Sequence, residues 1–239
     1  MTDEGRLVEI IERLDHAYGR HVWRPRADPV SELILTILSQ HTSDVNSHRA
    51  YQNLLGRFDS LDRVRKAEAE EIADAVRSAG LSRIKAPRIK EVLNLIVERH
   101  GSLDLGFVAD MDLDEARRWL TDLPGVGPKT AACVLLFSLD RPALPVDTHV
   151  YRVARRLALF DPRTTPDQAH RILEEMVSPA KVYDFHLNMI AHGRRVCKAP
   201  VPICPRCVLE SLCPKVGVDL AALAARLGSP VSRGTLGQG

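Results

Sequence analysis

Residues 123–131 read Leu-Pro-Gly-Val-Gly-Pro-Lys-Thr-Ala, and they set the class of the whole chain. A helical pattern over 113–121 stops just before them, and another begins with Pro128 and runs to 139. Gly125 and Gly127 supply the unusual backbone angles of a tight turn. Pro128 opens the second helix, at a position whose N–H no helix could use. The stretch is therefore predicted to be a helix–hairpin–helix. Its glycines, with Val126 between them, leave bare backbone N–H groups beside a helix N-terminus, a place that attracts a phosphate oxygen and reads no base. Lys129 stands in the first turn of that helix. The positive end of the helix dipole repels an ammonium there and favours the free amine, a nucleophile.

Outward from the hairpin the periodicity stays helical. Leu7, Ile10, Ile11, Leu14 and Tyr18 form one apolar stripe, and Asp28-Pro29 reads as a cap and first helical position ahead of Leu33, Ile34, Ile37 and Leu38. Further helices are expected at 44–57, 68–79, 83–99, 148–160, 166–177 and 181–191, with Asp44 as a cap and Gly80, Gly101 and Gly193 at helix ends. No sustained two-residue alternation appears, so the chain is predicted to be all-α. Composition breaks at Arg20 to Pro29 and at Asp140 to Pro145 bracket one helical block. After Asp219 the Ala-, Gly- and Ser-rich tail is expected to add a helical turn and then disorder.

Downstream of the hairpin, Pro145-Val146-Asp147-Thr148-His149 places a carboxylate at the start of a helix. Asp147 reads as an ordinary N-cap; a capping carboxylate also has a fixed orientation that chemistry can use, so both readings hold together. Cys197, Cys204, Cys207 and Cys213 follow with the spacing C-x6-C-x2-C-x5-C, while Cys133 lies far upstream in an apolar run. Four thiols so close can wrap one metal centre. A four-cysteine zinc site is the competing assignment, but its usual form is two C-x2-C pairs across a long loop, whereas this single pair flanked by lone cysteines suits a cubane iron–sulfur cluster.

Charge is close to balanced over the 239 residues, with 33 Lys and Arg against 31 Asp and Glu. Between Arg152 and Lys215 it leans basic, with eleven Lys or Arg against six Asp or Glu, a lean compatible with nucleic acid. Arg194, Arg195, Lys198 and Arg206 put positive charge beside the cysteines. The N-terminus MTDEGRLVEI lacks the pattern of a secretory signal, and no stretch reaches the length of a membrane span, so a cytoplasmic protein is expected, nucleoid-associated if bacterial.

Together LPGVGPKTA, VDTH and the cysteine spacing, with LSQHTSDVN (38–46) and GLSRIKA (80–86), resemble the endonuclease III family of DNA glycosylases over about residues 5 to 216. The resemblance implies a six-helix barrel domain (23–141) ending in the hairpin, and a second domain (1–22 and 142–217) carrying a [4Fe–4S] cluster on the four cysteines. The two would flank a DNA-binding cleft, with 218–239 as a tail. It implies a monomer acting on double-stranded DNA with damaged bases or abasic sites: a bifunctional glycosylase and AP lyase for oxidised pyrimidines. Lys129 would be the nucleophile and Asp147 its activating carboxylate; adenine and mismatch thymine glycosylases usually lack that lysine. A non-catalytic iron–sulfur DNA-binding protein is the reading from another class. Among DNA contacts the resemblance implies Gly125, Val126, Gly127, His149, Arg194 and Lys198. Leu81 matches a wedge entering the base stack, although core packing after a helix would equally account for it. At the void-filling position, where the family often has Gln, this chain has His41 with Gln40 beside it.

Overall fold

In the computed structural model, which describes residues 3–228, every regular element is a helix. The α-helices are α1 (Asp3–Tyr18), α2 (Pro29–Ser39), α3 (Asp44–Phe58), α4 (Leu61–Lys66), α5 (Ala69–Ala75), α6 (Ser82–His100), α7 (Leu113–Thr121) and α8 (Pro128–Leu139). They continue with α9 (Thr148–Arg156), α10 (Pro166–Met176), α11 (Val182–Arg195) and α12 (Leu220–Gly228), and short 3₁₀ turns lie between several of them. The chain divides into two units. His21–Val146 with His170–Tyr183 form the larger; the smaller begins the chain, resumes over Asp147–Ala169 and continues from Asp184.

The larger unit is built around α2 and α8. Every residue of α2 from Val30 to Leu38 is buried, and so is every residue of α8 from Thr130 to Phe137. Such helices, apolar on all sides, belong in the middle of a bundle, and the two pack on each other. Leu54, Ile72, Ile89 and Leu93 from the surrounding helices close the same core. Each buried Leu or Ile contributes about 1.5–3 kcal/mol of transfer free energy. One carboxylate lies inside. Glu32 is fully buried at 0% exposure and is held by Arg26, whose Nε sits 2.7 Å from Oε2, and by the Thr36 hydroxyl at 3.1 Å. A buried charge persists only when paired in this way.

In the smaller unit the predicted stripe of α1 is the buried face, with Leu7, Ile10, Ile11 and Leu14 in the core. Arg6 donates to the Leu157 and Leu212 carbonyls (2.7 and 3.2 Å), and Arg13 to Val208 O and Ser211 Oγ (3.1 and 2.7 Å). The N-terminal helix is thereby fastened to the cysteine segment.

Several expectations need correction. Residues 170–183 group with the larger unit, because Glu174 accepts from Arg117 and from Leu144 N (2.8 Å) and His170 Nδ1 lies 2.9 Å from Leu144 O. The cap of α3 is Ser43, accepting from Asn46 N; Asp44 is the first helical residue. Segment 68–79 splits into α5 and a 3₁₀ turn (Arg77–Ala79), and the helix expected to reach 160 ends at Arg156, with Ala158 in the left-handed region (φ 50°). Gly193 does not end a helix. It sits within α11, where a Cβ would lie 3.0 Å from His149 Cβ and 3.2 Å from Arg152 Nη2, so close approach to α9 is what requires it. Helix α12 occupies much of the segment read as a tail, and 229–239 lie outside the described residues.

Candidate active site

The hairpin forms as predicted, with one change in the role of its glycines. Gly125 has φ 72°, the left-handed region, and a Cβ there would stand 2.3 Å from the Arg88 side chain. Gly127 is extended (φ −90°, ψ 178°), the conformation that the following proline imposes, and serves as the N-cap of α8 with no side-chain cap. First-turn amides of α8 have no partner within the helix, and nothing of Gly127 covers them. Val126 contributes differently from expectation. Its side chain is buried at 5% exposure and its N–H closes the turn onto Leu123 O (3.1 Å), so it builds the hairpin and offers no donor outward. Lys129 follows Pro128 in the first turn and is half-buried.

Two further loops of this unit carry predicted site residues. Gln40, the C-cap of α2, donates from Nε2 to Gly125 O (3.1 Å) and so touches the hairpin itself. His41 follows it, exposed, with φ 55°. Leu81 has φ 49° and is 53% exposed, which removes core packing as its reason for being apolar.

The smaller unit carries the remaining candidates. Asp147 is the N-cap of α9, its Oδ1 accepting from His149 N and Val150 N, both at 2.8 Å. The cap thus fixes the carboxylate by one oxygen. His149 is half-buried, with Nδ1 3.1 Å from Arg152 Nη2. Arg152 also donates to Cys197 O (3.0 Å) and Gly193 O (2.9 Å). One turn on, Arg156, only 6% exposed, donates to Lys198 O (2.8 Å), Pro200 O (2.9 Å) and Cys197 Sγ (3.3 Å). Helix α9 therefore carries a carboxylate at its start and, along its length, two guanidinium groups that grip the cysteine segment. Both arginines fall in the basic stretch between Arg152 and Lys215, and nothing in their spacing separates an internal strut from an exposed cation. Arg194 and Lys198 are exposed.

Cys197, Cys204, Cys207 and Cys213 line one small cavity of about 20 Å³, together with Arg156 and His192. Among the described residues no three His, Cys, Asp or Glu side chains converge closely enough to hold a single metal ion. Four thiols around one shared space offer the all-sulfur donor set that an iron–sulfur cluster takes. Burial pushes the Cys207 thiol up to about 11 and raises those of Cys204 and Cys213. Thiolates in this setting need a cationic centre beside them. Burial also lowers His192 to about 4 and so keeps it neutral; Tyr18 Oη lies 2.8 Å from its Nδ1 and Cys207 Sγ 3.5 Å from its Nε2. Cys133 is buried in α8, apart from the set.

An all-helical chain with a glycine hairpin, a lysine in the following turn, a capping carboxylate and a four-cysteine cavity has the organisation of a base-excision DNA glycosylase. Comparison with known proteins agrees: the family model described as HhH-GPD superfamily base excision DNA repair protein matches residues 34–179, and the chain belongs to that superfamily. It is 37% identical to endonuclease III of Thermotoga maritima over 78% of this chain and 83% of that protein. Endonuclease III of Sulfolobus acidocaldarius is 34% identical, over 76% and 79% respectively. Among solved structures, a trapped endonuclease III–DNA covalent intermediate superposes with a TM-score of 0.77 at 26% identity, covering 90% of this chain and 97% of that one. Among the described residues no helix is long and apolar enough to cross a membrane.

Proposed function

We propose that this protein is a bifunctional DNA glycosylase and AP lyase that removes oxidised pyrimidines from double-stranded DNA and cleaves the strand by β-elimination. The observation that carries the reading is Lys129, an amine in the first turn of α8 directly after a hairpin whose bare amides suit a phosphate. The hairpin would hold the backbone beside the lesion, and the nucleotide would leave the stack, since a stacked base exposes neither glycosidic bond nor sugar. Lys129 Nζ attacks C1′, and the C1′–N bond breaks as the base leaves with a proton. The nitrogen lone pair then breaks the C1′–O4′ bond, O4′ takes up a proton, and a lysine–C1′ iminium results. Loss of a C2′ proton then expels the 3′ phosphate, and water releases the lysine. Asp147 would be the activating carboxylate and would stabilise positive charge developing on the sugar.

Cys197, Cys204, Cys207 and Cys213 would hold a [4Fe–4S] cluster. Such a cluster supplies cationic iron that keeps four thiolates charged, and thereby a fixed shape for the loop carrying Lys198. We expect purified protein to contain iron and acid-labile sulfide and to absorb near ~400 nm. Chelation should release the iron and loosen the loop to proteolysis. A colourless protein with one bound zinc would refute the assignment.

Lesion choice is tested by strand cleavage on a panel of duplexes. Thymine glycol opposite adenine should be incised in preference to uracil or thymine mispaired with guanine. Preference for the mispairs, with base release and no strand break, would replace this reading by that of a monofunctional mismatch glycosylase.

A further inference from the structure

His41 and Leu81, at two separate loop tips of the larger unit, share an unusual backbone: both are left-handed, and both side chains are exposed. A left-handed conformation is unfavourable for a non-glycine residue, and it persists only where the surroundings enforce it. The enforcing contacts are visible. The Thr42 hydroxyl donates across to Ala79 O. Lys85, from the first turn of α6, sends its Nζ to Leu38 O (2.7 Å) at the end of α2 and to Ala79 O (2.9 Å) just before Gly80 and Leu81. Lys85 is 2% exposed, and burial lowers its pKa. A buried amine is tolerated when hydrogen-bonded, and here both carbonyls it satisfies belong to the roots of the two tips.

The same face of α6 reaches the hairpin. Arg88, three residues on from Lys85, lies against Gly125 and donates from Nη1 to Gln40 Oε1 (3.5 Å), while Gln40 Nε2 donates to Gly125 O (3.1 Å). Neither cation stood out in the sequence. Their spacing on one helix face is the only trace of their role, and GLSRIKA drew attention to its leucine instead.

We infer that Lys85 is a positioning residue that locks the loop tips bearing His41 and Leu81 into one rigid device for parting a duplex, separate from the chemistry at Lys129. The inference deepens the proposed function, on which it rests, by adding that these tips meet the double-stranded DNA. The physical need is plain. Entering a base step costs stacking, and a wedge on a mobile loop would also have to order itself at that moment.

The test uses Lys85→Met, which keeps the apolar stem, and Thr42→Val, which breaks the joint from the other side without involving a buried charge. Two readouts are compared with wild type: single-turnover incision at an abasic site in a duplex and in the same single strand, and the fluorescence of 2-aminopurine opposite a tetrahydrofuran abasic analogue in bound duplex. Both variants should lose about tenfold or more on the duplex while staying within about twofold on the single strand, and both should lose the unstacking signal. Equal losses on the two substrates, or full duplex activity in both variants, would overturn the inference, as would a wild type that binds the duplex without unstacking it. A wild type that unstacks but never incises would sink the functional reading while leaving Lys85 its role.

Discussion

Lys129→Gln should abolish strand incision at an abasic site, with an expected loss of about a thousandfold or more, while duplex affinity should stay within about tenfold of wild type. The magnitude follows from what the amine does. On the proposed route it is the atom that would bond to C1′, and glutamine has no lone pair of comparable nucleophilicity, so the covalent route would close. Fold and binding survive because Lys129 makes no capping bond in α8, whose entry is set by Gly127 and Pro128. Lys129 is half-buried, so the substitution should change stability by about 1 kcal/mol. Denaturant midpoints and fluorescence anisotropy on an abasic duplex check both halves. Full incision by the variant would move the nucleophile elsewhere.

Asp147→Asn tests the carboxylate and separates its two roles. Asparagine caps a helix about as well as aspartate, so the bonds to His149 N and Val150 N are retained and the thermal midpoint should not move. The negative charge is gone, and with it the activating carboxylate and the partner of positive charge on the sugar. Turnover should fall about a hundredfold or more with affinity little changed. Asp147→Ala removes the cap as well and should cost about 1 kcal/mol of stability in addition. If Asp147→Asn loses affinity and turnover equally, the residue serves α9 alone.

Much of this was legible in the sequence, for reasons specific to each element. The hairpin could be read because its turn needs a positive φ that glycine supplies and an entry that proline supplies. The stripe of α1 and the cap at Asp28 could be read because periodicity and capping are local. Other features depend on what the chain meets in three dimensions. Gly193 looks like a helix end, but its lack of a side chain answers to His149 on another helix. Arg156 looks like surface charge, yet it is buried and holds the cysteine segment. Ser43 and Asp44 are both competent caps, and only the backbone decides between them. Lys85 is the clearest case, since a lysine ranks as exposed by type and this one is almost wholly buried between two carbonyls. The cysteine spacing pointed to one shared centre, and the structure brings the four thiols around a single cavity.

The central claim is that Lys129 forms a covalent bond to the sugar. It is tested most directly by reducing the wild-type protein with borohydride on a duplex containing an abasic site, then mapping the adduct by peptide mass. The account predicts one stable protein–DNA adduct, carried by the peptide containing Lys129 and missing in Lys129→Gln. No adduct, or an adduct on another residue that persists in Lys129→Gln, would contradict it.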